Sequence, residues 1–339
     1  MNYRAILSAS ALALTLTVVL SAQTPAPKST SKNWTVPRTP DGKPDLQGFW
    51  TNSTLTPLER PPAFPNSLTM TDAEAAVWEK KTSDEWAKYD GKAANPIADR
   101  WGSGGTGGYN AAFTDQGTEL ARVDGLKRTS LVIDPPDGHI PPITAEAKAR
   151  NGAMMRSFNK ADSVKDRALS ERCLVSFGNS AGPPMMPTLY NNDYQIVQTP
   201  DTVLILVEMV HDARIVRMNA THAPPSVRQW FGDSIGHWEG DTLVVDTTNF
   251  NGLAGFRGAS RNLHVVERFQ RTGANTILYR ATLDDPDTYT KPWTLEFPFV
   301  ASKGPIYEYA CHEGNYAMID ILGGARKAEQ EKEKQKEKK

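Results

Sequence analysis

From residue 193 onward, apolar and polar residues alternate with a period of two, in short runs broken by Gly, Asp and Asn. The runs 194–198, 203–209, 214–218, 235–238, 242–248, 262–271, 276–283, 293–299 and 306–311 read as strands. Turn chemistry separates them, as at Thr199-Pro200-Asp201-Thr202, Glu239-Gly240-Asp241 and Thr272-Gly273-Ala274-Asn275. Strands at this spacing predict a mainly β fold built as an antiparallel meander. Such a meander closes as a lipocalin-like up-and-down barrel or packs as a β-sandwich; closure removes the edges and favours the barrel.

Helical spacing is confined to two N-terminal places. A capping box at Thr71 and Glu74 opens a helix over 72–89, and Thr144 with Glu146 opens another over 144–158. Between them TSLVID (129–134) reads as a strand stopped by Pro135-Pro136. The rest of 41–128 is Pro/Gly-rich and irregular, as in DGKPDLQGFW, PLERPPAFP and WGSGGTGGYN. It reads as chain draped over another layer and anchored by its Trp side chains. Residues 129–325 then form the β-rich barrel domain.

The ends read differently. Residues 5–20 are uncharged and largely apolar, follow Arg4 and lead to Ser21-Ala22. That is a signal peptide over 1–22, too short for a spanning helix. Residues 23–40 are a Pro/Ser/Thr-rich flexible leader, and 326–339 is a charged, disordered tail without an apolar face. No other run is long and apolar enough to span a membrane, so the mature chain has no transmembrane segment and is expected in the periplasm or outside the cell. Cys173 and Cys311 are the two cysteines. In an oxidising compartment they predict one disulfide closing a loop of about 138 residues.

Composition adds one exclusion. With 38 Lys+Arg against 39 Asp+Glu the net charge is −1, which removes any whole-chain electrostatic case for nucleic acid.

Four stretches carry a resemblance: DGKPDLQGFW (41–50), QWFGDSIGHWEGDTLVVDTTNF (229–250), LHVVERF (263–269) and IYEYACHEGNYAMIDILGGAR (306–326). Together the chain over about 37–326 resembles a family of secreted bacterial proteins. The resemblance implies a bacterial, exported, single-domain protein; it brings no activity and no site residue with it.

Known catalytic motifs fit poorly. GNSAG (178–182) matches a nucleophile elbow, but Pro183, Pro184 and Pro187 forbid the helix that the elbow needs after Ser180. The glycines of 102–108 lack the Lys and Ser/Thr of a phosphate loop. No histidines form HExxH or HxH, and no cofactor or metal is specified.

What remains is polar residues in apolar strands. Glu208 interrupts VLILVEMV, so its carboxylate is either paired or poised for chemistry, and Arg214 is its natural partner across a short turn. His211, His264 and His312 fall in or beside different strands. Glu208, His211, His264 and His312 are therefore the acid/base candidates, with surface or satisfied histidines as the bland alternative. Arg214, Trp238, Glu267, Tyr307 and Tyr309 are candidate ligand-binding residues. The expectation is an exported barrel acting on or modifying a small organic or glycan-derived molecule in a polar-aromatic cavity; the alternative is a non-catalytic ligand-binding or envelope-associated protein.

Overall fold

The alternation along the C-terminal half is the alternation of a barrel wall. In the strand Thr202–Val207, Val203, Ile205 and Val207 are buried while the residues between them are not. The structure, a computed structural model, describes residues 34–89, 114–157, 160–176 and 178–337. The segment read as a signal peptide (1–22), most of that read as a leader (23–40) and the Gly-rich stretch 101–110 lie outside the described residues.

In chain order the elements are β1 (Gly48–Thr51), β2 (Thr69–Met70), α1 (Asp72–Tyr89), β3 (Arg122–Val123), β4 (Leu126–Arg128), β5 (Val132–Asp134) and α2 (Ala145–Ser157). Then follow β6 (Asp193–Gln198), β7 (Thr202–Val207), β8 (Ala213–Met218), β9 (Asp233–Glu239), β10 (Thr242–Thr248), β11 (His264–Gly273), β12 (Thr276–Asp284), β13 (Trp293–Ala301) and α3 (Ala317–Glu337). Among the described residues, nine strands close a ring in the order β1-β6-β7-β8-β9-β10-β11-β12-β13 and back to β1. β5 pairs outside the ring with β13, and β2-β4-β3 form a small separate sheet.

The barrel expectation holds, with two corrections to the meander. A ring with an odd number of strands cannot alternate direction throughout, so one neighbouring pair must be parallel. That pair is β8–β9, joined by the crossing segment 219–232, as parallel neighbours require. Gly236 makes room there: a Cβ would lie 2.7 Å from Val216 Cγ1 and 2.9 Å from Met218 Sδ. The second correction is β1, which lies inside the segment read as irregular. It pairs with β6 through Trp50–Tyr194 and with β13 through Trp50–Ala301, and so closes the ring.

The capping box is made: Thr71 N donates to Glu74 Oε2 at 2.8 Å and Glu74 N to Thr71 Oγ1 at 3.2 Å. α2 is capped by Thr144 Oγ1, which accepts from Ala147 N at 3.0 Å. Residues 306–311, read as a strand, form an irregular strap after β13. The strap is tied back by the predicted disulfide, Cys173–Cys311. The tail read as disordered is the end of α3, a helix without a buried residue. Its Ala, Glu, Lys and Gln are strong helix formers, and that preference outweighs the missing apolar face. No described helix is long and apolar enough to cross a membrane.

The lumen is packed with the protein's own side chains. Tyr194, Phe269, Tyr279, Phe297 and Phe299 stack and tilt against one another, with ring centroids 5.0 to 5.3 Å apart in the tightest pairs. The loop around Ser180 closes over them, burying Ala181 and Met185 fully, and Met185 N donates to Tyr279 Oη at 2.9 Å. The polar-aromatic interior expected from the sequence exists, but these residues occupy the space expected for a ligand.

Candidate functional site

Glu208 is not in a strand. β7 ends at Val207, and Glu208 opens a 3₁₀ turn over Met209–His211. Inside that turn Val210 has φ 60° and ψ 28°. A β-branched residue in the left-handed region carries strain of about 1–3 kcal/mol and persists where its surroundings over-determine it. Here they do. Val207 N donates to Asp212 O at 2.8 Å, Glu208 N donates to Asp193 O at 3.0 Å, and Val210 is buried.

The strained turn sets Glu208 and Asp212 on either side of itself, and hairpin pairing brings Asp193, the first residue of β6, alongside. Glu208 Oε2 accepts from Asp193 N at 3.4 Å, and Oε1 accepts from Tyr307 N on the strap at 3.3 Å. Asp193 Oδ2 accepts from Ser302 Oγ at 3.0 Å. Asp115 completes the group, with its own N bonded to Leu189 O at 2.9 Å. No Lys or Arg among the described residues pairs with any of these four carboxylates, and Asp212 Oδ2 is buried without a hydrogen-bond partner.

Burial without a cation raises carboxyl pKa values. Burial pushes Asp212 to about 7. Burial, reinforced by the charges of Asp193 and Glu208, pushes Asp115 to about 6. Glu208 and Asp193 are also raised, chiefly by burial. Asp212 and Asp115 thus change protonation near neutral pH, the range in which general acid and general base catalysis operate. The charges of Asp193 and Glu208 act on Asp115, so these three titrate as a linked set, whereas Asp212 is raised by its own burial against a single backbone N–H from Ser176.

The other expected residues distribute differently. Tyr307 gives its backbone N–H to Glu208, while the residue as a whole is 71% exposed. Tyr309 packs half-buried against the core. His312 is exposed in the turn after Cys311. His211 ends the 3₁₀ turn, and its side chain lies outside the described residues. Trp238, on β9 opposite Leu243, is half-buried against the core.

Arg214 does not pair with Glu208. It faces the lumen and makes a two-pronged ion pair with Glu267, Nη1–Oε1 3.0 Å and Nη2–Oε2 2.6 Å. Tyr279 Oη donates to the same carboxylate at 2.8 Å. The sequence placed Glu208 in β7, but the strand stops one residue earlier and the turn carries Glu208 to the rim. Arg214 and Glu267 both fall on inward positions, so they are the pair that meets. Ser180 is fully buried and no helix follows it, so the elbow-like motif is a closing loop.

His264 belongs to a second network on the outer wall. Its Nε2 lies 2.8 Å from Asp246 Oδ2, and Asp246 Oδ1 lies 2.8 Å from His222 Nε2. His222 Nδ1 lies 3.0 Å from Asp233 Oδ2, and Arg217 grips Asp233 with Nη2 at 2.8 and 2.9 Å. These contacts pin the crossing segment to β9 and β10. The Asp246 hydrogen bond raises the pKa of His264. The His264 hydrogen bond, outweighing burial, lowers that of Asp246. Among the described residues no group of three or more His, Cys, Asp or Glu is placed to hold a metal ion.

No known protein family matches the chain, and no curated protein or solved structure matches it. Asp115, Asp193 and Asp212 were missed from sequence. For Asp193 and Asp212 a signal existed: the β6–β7–β8 hairpins put the start of β6, the end of β7 and the start of β8 at one rim. Asp115 carries no such signal.

Proposed function

We propose that the chain is an exported bacterial protein that performs general acid–base chemistry on a small hydroxylated molecule, organic or glycan-derived, at the barrel rim. Glu208 and Asp212 are the principal acid/base residues, supported by Asp115 and Asp193. One observation carries this reading: a strained, buried turn at Val210 separates two carboxylates that have no cation partner. Strain and raised carboxyl pKa values together mark functional sites more often than structural ones. Unpaired carboxylates repel anions and accept hydrogen bonds from hydroxyls, which points to a neutral polyol or sugar. The ring of the exposed Tyr307 offers it a flat apolar surface. Export is supported by the apolar N-terminal segment, by the disulfide and by the resemblance to secreted proteins.

The test is turnover and ligand-observed NMR with a panel of aryl glycosides, free sugars and polyols, using the full mature chain. At least one compound should bind and react. Glu208→Gln and Asp212→Asn should each lower turnover by about 100-fold while the fold is kept. A panel that neither binds nor reacts, or variants as active as the parent, would contradict the proposal.

A further inference from the structure

We propose a second ligand site, independent of the rim: a surface groove that binds a small organic monoanion with a flat apolar body, such as an aromatic carboxylate, through Arg257. The groove has a volume of about 400 Å³, within the range of small-molecule sites. Ile140, Pro141 and Ile143 form an apolar wall and Tyr289 lies beneath. Arg257 and Asn151 line the same space, and neither side chain has a hydrogen-bond or ion-pair partner among the described residues. A cation and an amide without partners over an apolar surface are the few convergent polar groups that a ligand pocket presents.

The backbone is strained to put the guanidinium there. Arg257 has φ 52° and ψ 34°, in the left-handed region, within a 3₁₀ turn over Phe256–Gly258. Neighbours lock the turn from several sides. Gly258 N donates to Gly255 O at 3.2 Å and Ala259 N to Phe256 O at 3.0 Å. Arg150 Nη2 holds Gly258 O at 3.1 Å and Thr288 Oγ1 at 2.7 Å. Gly258 packs so closely on Asn151 that a Cβ would collide with its amide. Strain held by so many contacts, at an exposed residue whose guanidinium has no hydrogen-bond or ion-pair partner among the described residues, is the pattern expected of a group kept ready for something absent from the chain.

The chemistry of the occupant follows. Guanidinium presents a planar fork of donors that matches a carboxylate. Burial raises the pKa of the Tyr289 phenol, and the Arg257 charge opposes that rise, which places the charge close to the ring. Glu59 also lines the groove; its Oε1 accepts from Ile140 N at 2.8 Å and lies 3.8 Å from His139 Nδ1. That carboxylate disfavours a dianion and limits the ligand to one negative charge.

Benzoate and benzyl alcohol share a ring and differ in charge, so titrating the full mature chain with each isolates the Arg257 contribution. Benzoate should bind at least about tenfold tighter than benzyl alcohol and shift the methyl resonances of Ile140 and Ile143. Arg257→Gly suits the positive φ, so it should keep or raise Tm while weakening benzoate by about tenfold. Arg257→Asn, which also tolerates this conformation, should do the same if the glycine variant proves too mobile. Equal affinity for the two probes, benzoate binding unchanged in both variants, or shifts confined to other residues would overturn the proposal. Glu208→Gln should leave benzoate binding intact, which separates this site from the rim.

Discussion

Arg214 and Glu267 are 3% and 0% exposed, so their attraction acts inside the lumen with little solvent screening. Both prongs of the guanidinium are used, and Tyr279 and Ser234 approach the same charges. Glu267→Gln leaves a buried guanidinium without its counter-charge and should cost about 3–5 kcal/mol in denaturant unfolding. Adding Arg214→Met should recover part of that loss, because the stranded charge is removed. Loss without recovery would mean that the hydrogen-bonded neighbours, not the charge pair, carry the effect.

At the rim the sign of the pH effect is set by which way the carboxyls move. Asp212 is raised from 3.8 to about 7 and Asp115 to about 6. A carboxyl with a raised folded pKa contributes stability that is fully present below the unfolded value and lost as pH rises through the folded one. The raised His264 pKa works in the same direction: its contribution is present below 6.5 and fades as pH rises past the raised value. Asp246 is lowered and acts oppositely, losing its contribution below about pH 4. Tm should therefore peak in mildly acid solution and fall between about pH 5 and 8. Asp212→Asn should reduce that fall by about 1–2 kcal/mol after allowance for solvent screening of a half-buried group. A variant with the same pH slope as the parent would remove Asp212 from the account.

At the scale of elements, β1 closes the ring although it has four residues. Trp50 anchors it: Nε1 donates to Leu46 O at 2.9 Å, and the Arg271 guanidinium lies 5.4 Å over the ring. Trp50→Ala should cost about 3–5 kcal/mol and should expose β6 and β13 to amide exchange before the rest of the wall. Uniform exchange across the barrel would mean that β1 is not a separate closing element. The long strands were legible because period-two burial leaves a clear trace over six to ten residues. β1 was not, because four residues framed by Gly and Pro-rich chain hold too little alternation. Nor does alternation encode strand direction, so the parallel β8–β9 pair was invisible. The Glu208–Arg214 pairing failed for a related reason: one residue of error in a strand end moves a side chain from the lumen to the rim. The capping box and the disulfide were readable because each depends on a few residues of unmistakable chemistry.

At the scale of the molecule, packing and chemistry occupy different places. The lumen is filled with aromatic side chains and one ion pair, and so acts as a rigid frame. The titratable groups without cation partners lie at the frame's edge. There the turn after β7 meets the strap that Cys173–Cys311 ties down. The strap supplies the Tyr307 N–H to Glu208, and Ser302, directly after β13, donates to Asp193, so the disulfide also helps to position the rim. Asp115 and Asp212 each change protonation near neutral pH. The direct measurement is a pH titration of side-chain carboxyl ¹³C shifts on the full chain, assigned with Asp115→Asn and Asp212→Asn. Midpoints of about 7 for Asp212 and about 6 for Asp115 are predicted. Midpoints near 4 at both positions, the ordinary range for exposed aspartates, would contradict the account.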